Sequence, residues 1–167
     1  MRKLVVFGIS VALVMLAGTA VAKEFKTGGL SGGEEVPARD TNARGNATFE
    51  VSDDGLSMTY KLIVANIDNI VQAHIHIGPA GVNGPVVLFL HELVAPGGGT
   101  SNGLIRQGTV TAANLVGPLA GHPLSDLVDA MTAGNAYVNV HTNDGVGPIN
   151  TGPGDFPGGE IRGQIRD

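Results

Sequence analysis

The chain has 167 residues, with ten Lys or Arg against fifteen Asp or Glu, a formal charge of −5, and neither Cys nor Trp. The lack of Cys excludes disulfides, Cys-ligated zinc, iron–sulfur clusters and thiol catalysis. The acidic balance argues against nucleic acid, whose affinity rests on cations neutralising phosphates.

Met1 to Ala22 reads as a secretory signal peptide. Arg2 and Lys3 supply the positive start, Leu4 to Ala17 the apolar stretch, and Ala20-Val21-Ala22 the small-x-small cleavage site. The apolar stretch is shorter than the ~20 residues of a membrane span. The expectation is therefore a mature domain over 23–167, secreted or periplasmic, with no membrane insertion after cleavage. No Cys stands at the junction for a lipid anchor.

Twenty-six Gly and nine Pro break the chain into short pieces, as in an all-β domain with many turns. Phe25 to Leu30 is a short, weak strand pattern. Asn46 to Val51 and Ser57 to Val64 alternate cleanly around Asp53-Asp54-Gly55, a tight-turn signal, and predict a hairpin. Val71 to Ile77 alternates again, with Ile75 and Ile77 opposite His74 and His76. After the loop Gly78–Pro85, Val86 to Leu90 is apolar throughout, as in a buried strand. Pro96 to Gly103 reads as a second loop and Leu104 to Val110 as a strand. Leu124, Leu127, Val128 and Met131 form one helical stripe, bounded by Pro123 and Gly134, which predicts a helix over 124–133. Ala136 to Thr142 alternates, with Tyr137, Asn139 and His141 on one face. Asn143 to Gly159 is a long loop and Glu160 to Ile165 a final short strand. The pattern predicts one β-sandwich or Greek-key domain with one short helix.

His74 and His76 carry the sharpest chemistry. Residues i and i+2 of a strand share a face, so both imidazoles project the same way from backbone positions roughly 7 Å apart. His141 is on the strand face of Tyr137 and Asn139, and three neutral imidazoles on a rigid sheet suit copper or zinc. The same spacing also suits two polar residues on an outer face, or imidazoles that hold loop carbonyls. His91 and His122 have no such placement. Glu160 and Arg162 share a face between glycines. They read as structural ion pairs or loop anchors, with an anion guide beside the histidines as the functional alternative. Glu34 and Glu35 point apart in an extended chain, which argues against a catalytic carboxylate pair. No phosphate-binding loop and no Gly-x-Ser-x-Gly elbow is present. No hydrolytic nucleophile, base and orienter can be assembled.

Several segments together resemble the CHRD domain, the module defined in chordin and found in secreted bacterial proteins. They are Leu30-Ser31-Gly32-Gly33-Glu34-Glu35-Val36-Pro37, Ala73-His74-Ile75-His76-Ile77-Gly78, Gly81-Val82-Asn83-Gly84-Pro85-Val86-Val87, Tyr137-Val138-Asn139-Val140-His141-Thr142 and Gly159-Glu160-Ile161-Arg162-Gly163-Gln164-Ile165. The resemblance implies an immunoglobulin-like β-sandwich, a secreted setting and binding rather than catalysis. A weaker similarity is to copper/zinc superoxide dismutases. In those Greek-key sandwiches a His-x-His, a later copper-binding His and an Arg occur in the order of His74, His76, His141 and Arg162. The dismutase disulfide, bridging His and zinc loop have no counterpart here. This second similarity implies a copper-type site, with Arg162 in its surroundings, and not the reaction.

Two functions follow as expectations. The first is a secreted, non-catalytic binding or structural module that meets an extracellular or periplasmic protein through the loops 78–85 and 143–159. The alternative is a periplasmic copper- or zinc-binding protein with His74, His76 and His141 as ligands. Convergence of the three imidazoles on one point favours the metal reading; His141 on another face, or imidazoles saturated by backbone carbonyls, favours the first.

Overall fold

The computed structural model describes residues 22–167, so the expected signal peptide lies outside the described residues save for Ala22. Nine strands form one antiparallel sheet: β1 (Lys23–Thr27), β2 (Leu30–Ser31), β3 (Arg44–Val51), β4 (Ser57–Asp68), β5 (Ile70–Ile77), β6 (Val86–His91), β7 (Thr100–Thr111), β8 (Ala136–Thr142) and β9 (Ile161–Arg166). The spatial order is β6-β5-β8-β9-β1-β3-β4-β7, with β2 pairing with both β3 and β9. One helix, α1 (Leu124–Thr132), precedes β8. No helix among the described residues is long and apolar enough to cross a membrane.

The predicted hairpin is present. Val51 pairs with Met58, and Gly55 takes the left-handed conformation at φ +69°. The Ser52 hydroxyl donates to Asp54 at 2.6 Å across the turn. Ala47, Phe49 and Val51 of β3 and Met58, Leu62 and Val64 of β4 are buried, while Thr48, Glu50, Thr59 and Lys61 face water. That is the period-2 pattern of a sheet wet on one face.

Several boundaries differ from the sequence reading. The expected strand Phe25–Leu30 is two strands, β1 and β2, broken at Gly28-Gly29, where Gly29 takes φ +111°. β4 continues to Asp68 past a register irregularity between Val64 and Ile67. β7 begins at Thr100, where a loop was expected, because Thr100 and Ser101 pair with Asp68 and Ile67 of that extension. β7 is an end strand exposed along most of its length, so its residues carry no alternation to read. Three short 3₁₀ turns, Gly32–Glu34, Ala112–Asn114 and Gly117–Leu119, were not predicted; single turns are too short for a periodic signal.

Helix α1 buries Leu124, Leu127 and Met131. Pro123 is its cap residue, one position before the predicted first turn. At its end Gly134 adopts φ +69°. The Gly134 and Asn135 amides donate to the carbonyls of Met131 (3.0 Å) and Ala130 (2.8 Å), the double bond of a Schellman stop.

The sheet curls until its ends meet. The Tyr60 hydroxyl of β4 donates to the Leu90 carbonyl of β6 at 2.8 Å, and Arg106 Nε of β7 donates to His91 Nδ1 of β6 at 2.8 Å. A single apolar core fills the interior, from Phe25 and Phe49 through Leu62 and Ile75 to Val138, Val140, Ile161 and Ile165. β8 is buried at every residue. Its Val138 and Val140 join that core, while Tyr137, Asn139 and His141 alternate with them under the loops that follow β5, β2 and β8. This second, polar, buried layer is where the histidines lie.

Candidate metal centre

Cross-strand pairing assembles the polar layer. On β5 and β8, His76 lies opposite Tyr137 and His74 opposite Asn139, while Gln72 lies opposite His141. On β9, Arg162 lies opposite Asn139 and Gln164 opposite Tyr137. Directly opposed side chains in an antiparallel pair have Cβ atoms about 5 Å apart. No two of the histidines are directly opposed; His141 is diagonal to His74, about 7–8 Å away at the backbone, and the side chains close that gap. One nitrogen from each of His74, His76 and His141 lies within 4.8 Å of the other two.

Second partners orient two of the rings. His76 Nδ1 lies 2.9 Å from the Gly84 carbonyl and His141 Nδ1 lies 2.8 Å from the Pro157 carbonyl. A carbonyl only accepts, so both rings carry their hydrogen on Nδ1 and present a lone pair at Nε2. His74 Nδ1 faces His141 Nε2 at 3.2 Å. With His141 Nε2 a lone pair, this contact is a hydrogen bond donated by His74 Nδ1, and His74 Nε2 is left buried without a partner among the described residues. Its length is close to the ~3.3 Å between two nitrogens on one tetrahedral ion, so His74 Nδ1 can share an ion with His141 once its hydrogen moves to Nε2. His76 Nε2 is buried with no hydrogen-bond partner among the described residues.

The surroundings keep all three rings neutral. His74, 4% exposed, has its pKa lowered to about 3, by burial first and then by the charges His141 and His76 would carry. Burial lowers His141 to about 4 against the opposing pull of the Pro157 carbonyl, with His76 adding a smaller depression. His76 is lowered by burial, opposed by its bond to Gly84 and assisted by the Arg162 charge. Neutral imidazole is the metal-binding form. Phe89 meets the His74 ring edge-on at 4.6 Å, and Tyr137 stacks on His76 at 4.8 Å with 8° between the planes.

Arg162 is the largest fully buried side chain among the described residues. Its guanidinium lies 3.5 Å over the Tyr137 ring and donates to Asn83 Oδ1 (3.2 Å) and to the carbonyls of Pro79 (3.1 Å) and Val82 (3.0 Å). Of its sequence readings, the loop anchor fits: the fork is spent on the loop 78–85. The ion pair with Glu160 does not form. Glu160 instead accepts from the hydroxyls of Thr41 and Thr142, each at 2.6 Å, and from the Gly154 amide at 2.8 Å. His91 and His122 lie apart from the cluster, with Arg106 and Asp126 as their respective partners.

The sequence reading weighed Glu35 only as half of a carboxylate pair with Glu34 and gave it no other role. Its carboxylate is buried against Asn139 Nδ2, at 2.8 and 3.0 Å, and burial pushes its pKa up to about 7 against the pull of Arg162, Arg39 and Asn139. Gly84 and Gly159, quoted only inside longer motifs, were likewise given no role. A Cβ on Gly84 would overlap the Ile77 carbonyl, and one on Gly159 would run into Asn139 and Glu35. Both glycines let loop backbone lie flush on the site, a requirement that leaves no periodic trace in sequence.

Neither the curated proteins nor the solved structures searched contain a match to the chain. The family model of the CHRD domain matches residues 27–165, a span that takes in every strand from β2 to β8, the three histidines and Arg162. The chain thus belongs to the CHRD domain family.

Proposed function

We propose that this CHRD domain binds one copper or zinc ion through His74, His76 and His141, with His74 Nδ1 and the Nε2 atoms of His76 and His141 as donors. The observation that carries the reading is the convergence of three neutral imidazoles, two of them turned to the common point by backbone carbonyls. The donor set is all nitrogen, which suits copper and zinc and not calcium or magnesium, whose ligands are oxygens. No reaction is assigned. The test is calorimetric titration of the domain with copper(II) and zinc(II), beside His74→Ala and His76→Ala. Submicromolar one-to-one binding that each substitution weakens at least 100-fold supports the reading; wild-type protein that takes up neither metal refutes it.

A second reading, compatible with the first, is a secreted or periplasmic recognition module that meets a protein of that compartment. It draws on the Met1–Ala22 signal pattern and on the loops over the histidines, where Val82, Val146 and Ile149 are 51%, 66% and 57% exposed. Exposed apolar side chains on these loops are available for burial by a partner. We read the curled sheet as an immunoglobulin-like or Greek-key β-sandwich, a view supported by the bonds joining β6 to β4 and β7.

A further inference from the structure

We infer that Tyr137 and Arg162 are positioning residues for the metal: through the loop 78–85 they hold the Gly84 carbonyl that aims His76 at the ion. The inference rests on the metal reading above and extends it to residues that do not touch the ion.

The Gly84 carbonyl holds His76 Nδ1 at 2.9 Å and so leaves Nε2 for the ion. The Gly84 amide in turn donates to the Tyr137 hydroxyl at 3.0 Å. Tyr137 therefore fixes His76 twice, by the stack of its ring on the imidazole and by its hydroxyl through one residue of the loop. The neighbouring loop residues are held by Arg162, which reaches Pro79, Val82 and Asn83 from beneath. Asn83 also donates to the Val36 carbonyl at 2.7 Å, so the same loop is pinned on its outer side. The loop can press this close to β5 because residue 84 has no Cβ to meet the Ile77 carbonyl. A hydrogen bond to the distal nitrogen of a ligand histidine fixes its tautomer and direction, and losing that support typically costs 10- to 100-fold in metal affinity.

Tyr137→Phe keeps the stacked ring and removes only the hydroxyl. Arg162→Lys keeps a cation and removes the planar fork. Each full-length variant is titrated with copper(II) and zinc(II) against a competing chelator, and its cobalt(II) absorption spectrum is recorded as a reporter of ligand geometry. Gly55→Ala, a strained substitution at φ +69° in the β3–β4 turn with open space at the Cβ position, controls for stability. The expected result is about 10-fold weaker binding for Tyr137→Phe and up to about 100-fold for Arg162→Lys, both with shifted cobalt bands, and unchanged affinity and spectrum for Gly55→Ala. Wild-type affinity and spectrum in Tyr137→Phe would overturn the inference, even if Arg162→Lys fails to fold. Wild-type protein that binds no metal would refute the metal reading and this inference with it, whereas a binding wild type with an unaffected Tyr137→Phe refutes this inference alone.

Discussion

Glu35 is the residue whose charge the fold constrains most visibly away from the histidines. Its pKa is about 7 in the fold and 4.5 in the ordinary case, so the native state holds a proton that the unfolded chain releases. A raised folded value contributes stability that is complete below pH 4.5 and is lost as pH rises through 7. Over that window the loss is on the order of 3 kcal/mol. Glu35→Gln removes the titration, so denaturation measured from pH 4 to 8 should show the wild type falling relative to the variant. Parallel stability curves would contradict the assignment. Nothing in Glu34-Glu35-Val36-Pro37 announced this behaviour, because it arises from burial against β8, where Asn139, 104 residues away, pulls the pKa the other way. The histidines were legible: the i, i+2 spacing of His74 and His76 fixes a shared face whatever the rest of the fold does. That His141 joins them depends on which strand lies beside β5, and spacing within one strand does not carry that information.

At the scale of elements, segments with an inside and an outside could be read and the others could not. α1 was found within one residue because Leu124, Leu127 and Met131 are buried on one stripe and Gly134 stops it. Gly134 has open space where a Cβ would stand, so its value is purely conformational. Gly134→Ala should cost about 1 kcal/mol, or roughly 2–4 °C in melting temperature. An unchanged melting temperature would mean that the Schellman stop contributes nothing. Gly159→Ala is the opposite case, with φ +122° and a Cβ that would collide with Asn139 and Glu35. Its loss should be at least twice as large in the same melting assay, and a cost equal to that of Gly134→Ala would show the loop to be free to move away. β8 was placed residue for residue, yet its alternation suggested one wet face. Both faces are dry because the loops 78–85 and 143–159 close over the polar one, and loop placement leaves no signal in the strand they cover.

The whole molecule is a curled sheet that puts an apolar core inside and a buried polar layer under loops on β5, β8 and β9. The closure between its ends is carried in part by Tyr60, whose hydroxyl crosses from β4 to β6. Tyr60→Phe should cost about 1 kcal/mol in chemical denaturation without altering metal affinity. A variant as stable as the wild type would show that this bond does not help to hold the ends together. Sheet order was beyond the sequence, since alternation states that a strand has two faces and not which neighbours it takes. The resemblance to CHRD domains supplied the family, and the register supplied the site. That this register builds a three-imidazole metal site can be tested on a crystal of the protein soaked in copper(II) or zinc(II), with diffraction collected at the metal's absorption edge. One anomalous peak is expected about 2.0–2.1 Å from His74 Nδ1, His76 Nε2 and His141 Nε2. A peak elsewhere, or none near these three nitrogens, would contradict it.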